Sequence, residues 1–200
     1  MPMRKSRFPL LAVTLAALLT PALRAGTLPR AAGEFTIDLT GGKAVHLTQF
    51  KGKTVAVIFI LTYCPHCQKI VTFLSQDQKE YGSRGFQVLA SAIEDNAAAA
   101  VPGFLTNFHP PFPVGSNRRG PVLDFLQHPV AARLIMPQLV FIDRQGMMQA
   151  QYTGDDPFLE EAKADANLRA KIEELLKAGA PHGAAKQTGV RKEPPTAPSR

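Results

Sequence analysis

Between Thr54 and Thr62 the chain runs Val55, Ala56, Val57, Ile58, Phe59, Ile60, Leu61, apolar throughout and rich in β-branched residues. A run this short reads as a strand, and without polar alternation it has no face left for water. Such a strand must lie inside a parallel or mixed sheet that is covered on both sides. It demands partner strands and covering helices elsewhere in the chain.

Both can be read from the pattern. Phe35, Ile37 and Leu39 alternate before Gly41-Gly42, and Val45 and Leu47 alternate after it, which predicts an N-terminal β-hairpin. From Pro65 to Arg84, Cys67, Ile70, Val71, Phe73, Leu74 and Tyr81 recur at the spacing of an amphipathic helix. Phe86–Ile93 reads as a second buried strand. Asn96–Phe108 is expected to be helical only in part, broken at Pro102-Gly103, and His109–Pro113 to be a stiff connector. A short helix is predicted over Pro121–Gln127. A hairpin follows, Gln138–Asp143 with Met147–Thr153 around Arg144-Gln145-Gly146, and a closing helix over Pro157–Lys177. The order is β-β-β-α-β-α-α-β-β-α, an α/β chain with a mixed central sheet between layers of helix.

The ends differ from this body. Arg4, Lys5 and Arg7 precede the apolar run Leu10–Leu19 and the small residues around Ala25-Gly26, the pattern of a secretory signal peptide over residues 1–25. The run is about half the ~20 residues that a spanning helix needs, so cleavage is favoured over anchoring. Retention would leave the chain tied to a membrane. Residues 26–33 read as a linker and 34–177 as the domain. Beyond it, 178–200 is Gly, Ala, Pro and Lys with little to bury, a disordered basic tail. The net charge of +7 sits in these two ends, and the body is neutral. A neutral body has poor affinity for phosphate backbones, so nucleic acid is not an expected partner.

The chemistry centres on Cys64-Pro65-His66-Cys67, which holds both cysteines of the chain. A disulfide between them would close too small a loop to stabilise much, so a redox or metal role is favoured over a structural one. Structural zinc sites want four ligands, usually from two such pairs, and there is no second pair. Only a thiolate attacks a disulfide. Cys64 would stand at a helix N-terminus, where unpaired N–H groups and the helix dipole favour a negative sulfur. Pro65 suits the first helical position. His66 adds a ring that, when cationic, stabilises the thiolate further and makes the disulfide more oxidising. Cys67, one turn on, is placed to resolve a mixed disulfide on Cys64.

Together these motifs resemble the thioredoxin superfamily, and within it the exported TlpA/ResA-like redoxin (AhpC/TSA-type) branch. The resemblance runs from about Glu34 to Lys177. It rests on Leu47–Lys53, on Tyr63-Cys64-Pro65-His66-Cys67, on Phe112-Pro113-Val114 and on Met136–Gly146. It implies a thioredoxin-like three-layer sandwich and a thiol–disulfide oxidoreductase. It further implies a redox-active Cys64–Cys67 disulfide and a cis Pro137 lying against the dithiol. Met136 would offer backbone hydrogen bonds to an extended partner, with Tyr63 beside it. No cofactor is implied. The partners would be protein thiols and disulfides and one further redox partner, acting on a monomer outside the cytoplasm.

Three positions depart from the family. Ile58 stands where thioredoxins carry a buried acid, Ile70 where TlpA-like reductases often carry Glu, and Tyr63 where Trp is usual. Glu94, after the second buried strand, resembles a loop glutamate of the branch and is the remaining candidate base. Pro-His is the dipeptide of oxidants resembling DsbA, whereas the scaffold resembles reductases, so the direction of electron flow stays open. Peroxidase chemistry is disfavoured, because Val57 and Leu61 occupy the Pro and Thr positions of the peroxiredoxin pattern. The rival from another class is a copper-binding protein resembling SCO, which would recruit His109, His128 or Met136 to the thiolates.

Overall fold

The computed structural model describes residues 27–178. The expected signal peptide, and the expected tail beyond Ala178, lie outside the described residues.

Eight strands form one mixed sheet. In chain order they are β1 (Arg30–Ala31), β2 (Thr36–Asp38), β3 (Ala44–His46), β4 (Thr54–Ile60), β5 (Phe86–Ala92), β6 (Val114–Ser116), β7 (Gln138–Ile142) and β8 (Met147–Tyr152). Their spatial order is β1-β8-β7-β4-β5-β6-β2-β3. β4 runs parallel to β5 and antiparallel to β7. The expected N-terminal hairpin is β2–β3, in the register Ile37↔Val45, and it joins the sheet through β6.

Every residue of β4 is buried. Ala56, Ile58 and Ile60 enter one core cluster, and Val55, Val57 and Phe59 enter the other. Period-two geometry sends alternate side chains to opposite faces, so an all-apolar strand needs two cores. Each fully buried Ile or Phe contributes about 1.5–3 kcal/mol. On the first face pack α1 (Pro65–Tyr81), α2 (Ala97–Phe108) and α4 (Glu161–Ala178); on the second lies α3 (Arg119–Leu126). This is the three-layer α/β sandwich.

Four findings differ from the sequence pattern. Val114–Ser116, for which no strand is expected, forms β6 beside β5, and three residues are too few to show a period. The closing helix expected from Pro157 begins only at Glu161, because Glu160 leaves the helical conformation and separates it from the one-turn helix Pro157–Leu159. α2 runs unbroken through Pro102. Ala97, Val101 and Phe104 are buried on both sides of the proline. Packing of that stripe offsets the missing N–H, a loss worth about 3 kcal/mol in an isolated helix. Within the stretch expected to be linker, Arg30–Ala31 forms β1 on the edge of β8. The Arg30 guanidinium holds it there by donating to the Phe125 carbonyl at 3.0 Å. Two residues are too few for any periodic pattern to announce.

Candidate active site

β4 ends at Ile60, and the loop Leu61–Tyr63 delivers the chain to Cys64, the N-cap of α1. Pro65 fills the first helical position, as its fixed φ and absent N–H favour. Cys64 is half-buried and Cys67 fully buried, and both are thiols. The Cys67 N–H lies 3.4 Å from Cys64 Sγ and donates to it. A first-turn N–H aimed at the sulfur is a donor placed to hold negative charge. Burial pushes the Cys67 thiol well above its ordinary range, and the hydrogen bond with Cys64 adds to the rise. The outer sulfur is reachable, and the inner one is shielded behind it.

His66, in the first turn of α1, is bonded outside its own helix. Its Nε2 lies 2.9 Å from the Leu159 carbonyl oxygen. Leu159 belongs to the one-turn helix Pro157–Leu159, which Asp156 caps by accepting from the Phe158 N–H at 2.8 Å. Nothing in the sequence pattern pointed to Leu159, because the contact joins segments 93 residues apart.

Glu94 lies just past β5 and reaches back to the loop before Cys64. Its Oε1 accepts from the Thr62 N–H at 3.1 Å and from the Thr62 hydroxyl. Its Oε2 is buried and takes no hydrogen bond. Ile58 and Ile70, where the family resemblance leads one to expect acids, are wholly buried apolar packing. Glu94 is therefore the carboxylate that the fold brings to the loop leading into the dithiol.

The strand register brings the second half of the site to the same end of the sheet. Gln138 pairs with Phe59, so Pro137 opens β7 where β4 leaves for Cys64. The Met136–Pro137 peptide bond is cis. Met136 is half-buried and packs against the core clusters that hold Cys67 and β4. Tyr63 is 68% exposed. It borders a groove with Thr62, Gln68, Phe104, Asn107 and Phe108. Thus Cys64, Pro65, His66, Cys67, Glu94, Tyr63, Met136 and Pro137 all converge on one end of the sheet.

His109 and His128 do not join them. His128 Nδ1 lies 3.0 Å from the neighbouring Pro129 carbonyl, and His109 closes α2 in the left-handed region. Among the described residues, no three or more His, Cys, Asp or Glu side chains gather as a metal-binding group.

Residues 25–168 match the family described as Redoxin. This chain belongs to the redoxin family. Over 124 residues this redoxin is 25% identical to the thiol-disulfide oxidoreductase ResA of Bacillus thuringiensis subsp. konkukian, covering 62% of this chain and 68% of that one. It is 30% identical over 93 residues to the protein of the same name from Bacillus subtilis, covering 46% of this chain and 51% of the relative. In fold it resembles the crystal structure of a thiol:disulfide interchange protein of the thioredoxin family from Chlorobium tepidum. That likeness has a TM-score of 0.61 and 23% identity, and covers 76% of this chain and 99% of the other.

The fold also buries an acid of this redoxin that the motif pattern does not single out. Asp77 sits on the inner stripe of α1, between Leu74 and Tyr81, and is fully buried. Neither carboxylate oxygen takes a hydrogen bond, and Arg169 Nε of α4 lies 3.8 Å away. Burial raises its carboxyl to about 7, with Asp165 and Glu80 adding and Arg169 opposing. The signal was available: Asp77 follows Ile70 by seven residues and Leu74 by three, on the apolar face.

Proposed function

We propose that Cys64 is the attacking thiol and Cys67 the resolving thiol of this thiol–disulfide oxidoreductase, and that its substrates are the thiols and disulfides of other exported proteins. The observation that carries the reading is the asymmetry of the pair. Cys64 is reachable at a helix N-terminus, and Cys67 is sealed one turn behind it with its N–H on the Cys64 sulfur. Export is supported by the basic flank and apolar run at the N-terminus.

In the reducing direction, the Cys64 thiolate attacks one sulfur of a partner disulfide. The partner's S–S bond breaks, and its other sulfur leaves with the electron pair and then takes a proton. Cys67 next gives up its proton and attacks Cys64 Sγ. This forms the Cys64–Cys67 disulfide and frees the second partner thiol, so two electrons have passed to the partner. The same steps reversed oxidise a dithiol. Glu94, whose Oε1 holds the loop before Cys64 and whose buried Oε2 is without a hydrogen bond, is the proposed acceptor of the Cys67 proton. His66 tunes the potential. Tyr63 and the backbone of Met136-Pro137 receive the partner's chain as an added strand.

The test is capture. With Cys67→Ala, Cys64 should hold a disulfide-containing polypeptide such as insulin as a stable mixed disulfide, seen by non-reducing mass spectrometry. Cys64→Ala should capture none. Equal capture by both variants, or by neither, overturns the assignment. Equilibration of the wild type with glutathione then gives the direction: a potential near about −120 mV belongs to an oxidant and one near about −270 mV to a reductant.

A further inference from the structure

A single short segment touches both halves of the site. At one end, the Leu159 carbonyl meets His66. At the other, Gly154 lies against the Met136–Pro137 step. The register Leu139↔Tyr152, carried two residues further, sets Gly154 across from Pro137. The Gly154 N–H donates to the Ile135 carbonyl at 3.1 Å. A Cβ built on Gly154 would stand 2.1 Å from the Met136 carbonyl oxygen, 2.4 Å from its carbon and 3.0 Å from Pro137 N. These are backbone atoms and cannot swing aside as the end of a side chain would. Gly154 does not occupy the left-handed region, so the requirement is for space and not for a torsion.

We propose that Gly154 is a positioning residue: its bare Cα lets the segment after β8 back directly onto the Met136 carbonyl and fixes the Met136–Pro137 step where a partner's polypeptide backbone docks. The inference rests on the proposed reading of Met136 as the docking strand. It extends that reading to a selectivity: Gly154 governs polypeptide substrates and not small disulfides. A methyl group here displaces the Met136 peptide by ~1 Å, a shift large enough to spoil an aligned pair of backbone hydrogen bonds. Sulfur exchange at Cys64 with a small disulfide needs no strand pairing and is left intact.

The experiment compares wild type and Gly154→Ala with two disulfides, insulin and 5,5′-dithiobis(2-nitrobenzoate). The expected result for Gly154→Ala is a KM for insulin raised about tenfold or more at nearly constant kcat, the mark of lost binding. The rate with the small disulfide stays within about twofold of wild type, which also reports that the variant is folded. Equal losses with both substrates, or no loss with insulin, overturn the proposal. Should Gly154→Ala fail to fold, hydrogen exchange decides, read in the free wild type and in the Cys67→Ala mixed disulfide. The Gly154 N–H should be as protected in the Cys67→Ala mixed disulfide with a peptide as in the free protein, and fast exchange in both overturns the assignment. A wild type that reduces the small disulfide but never insulin would sink the docking reading itself; insulin reduction unaffected by Gly154→Ala would sink only this inference.

Discussion

The Nε2 of His66 lies 2.9 Å from the carbonyl oxygen of Leu159, so the ring of the active-site dipeptide is anchored from outside its own helix. A carbonyl can only accept, so Nε2 carries the hydrogen. The ring's position beside the first turn is thereby set by the chain that leads into α4.

The anchored ring of His66 is proposed to tune the dithiol. A positive charge beside a thiolate stabilises the reduced form over the disulfide. His66→Ala should therefore favour the disulfide and lower the reduction potential by roughly 30 mV or more, a tenfold or larger change in the glutathione equilibrium constant. An unchanged constant would remove His66 from the tuning role.

Burial of Cys67 predicts asymmetric labelling. At pH 7.5 iodoacetamide should modify the reduced protein once, on Cys64, because the Cys67 thiol is raised by burial and has no exposed surface. Peptide mapping reads this directly. Equal modification of both cysteines in the folded protein would contradict the division of labour.

Glu94 has two oxygens in two circumstances, and two substitutions separate them. Glu94→Ala strands the Thr62 N–H and hydroxyl and should cost about 1–3 kcal/mol in urea unfolding. Glu94→Gln keeps an acceptor for Thr62 and should recover most of that stability. It should nonetheless slow the resolving step about tenfold or more if Oε2 takes the Cys67 proton. Stopped-flow decay of the mixed disulfide distinguishes the cases. Full-speed resolution in Glu94→Gln would leave Glu94 with the loop alone.

Asp77 makes stability depend on pH in an uncommon direction. Its carboxyl is raised from 3.8 to about 7, so through that window the folded state keeps a proton that the unfolded chain has released. Stability from this group is therefore full at low pH and declines as pH rises from about 4 to about 7. Asp77→Asn should remove the slope and stabilise the protein at pH 8, by of order 2–4 kcal/mol at most. Glu80 and Glu173 are lowered by Arg169 and Lys177 and pull the other way, so the difference between wild type and variant is the quantity to follow. A pH-independent difference would contradict the reading of Asp77.

Much of the fold was legible because burial leaves a signature. The unbroken apolar run of β4, the helical stripe of α1 and the glycine turns state locally what each element does. The cysteine pair at the end of one and the start of the other could be recognised from spacing alone. Pro102 misled, because a local rule about helix interiors gave way to the packing of Val101 and Phe104. β1 and β6 were invisible, being too short to display a period.

The amino-acid order by itself determined a strand wet on neither side, a helix opening at Cys64 and a dithiol within it. These depend on neighbours along the chain, and neighbours are what a sequence displays. Only the tertiary structure decided that Leu159 holds His66, that Glu94 braces Thr62, that Gly154 backs Met136 and that Asp77 is sealed against Arg169. Each of those is a contact between segments far apart in the chain. Strand register and helix packing choose such contacts, and no local pattern encodes them.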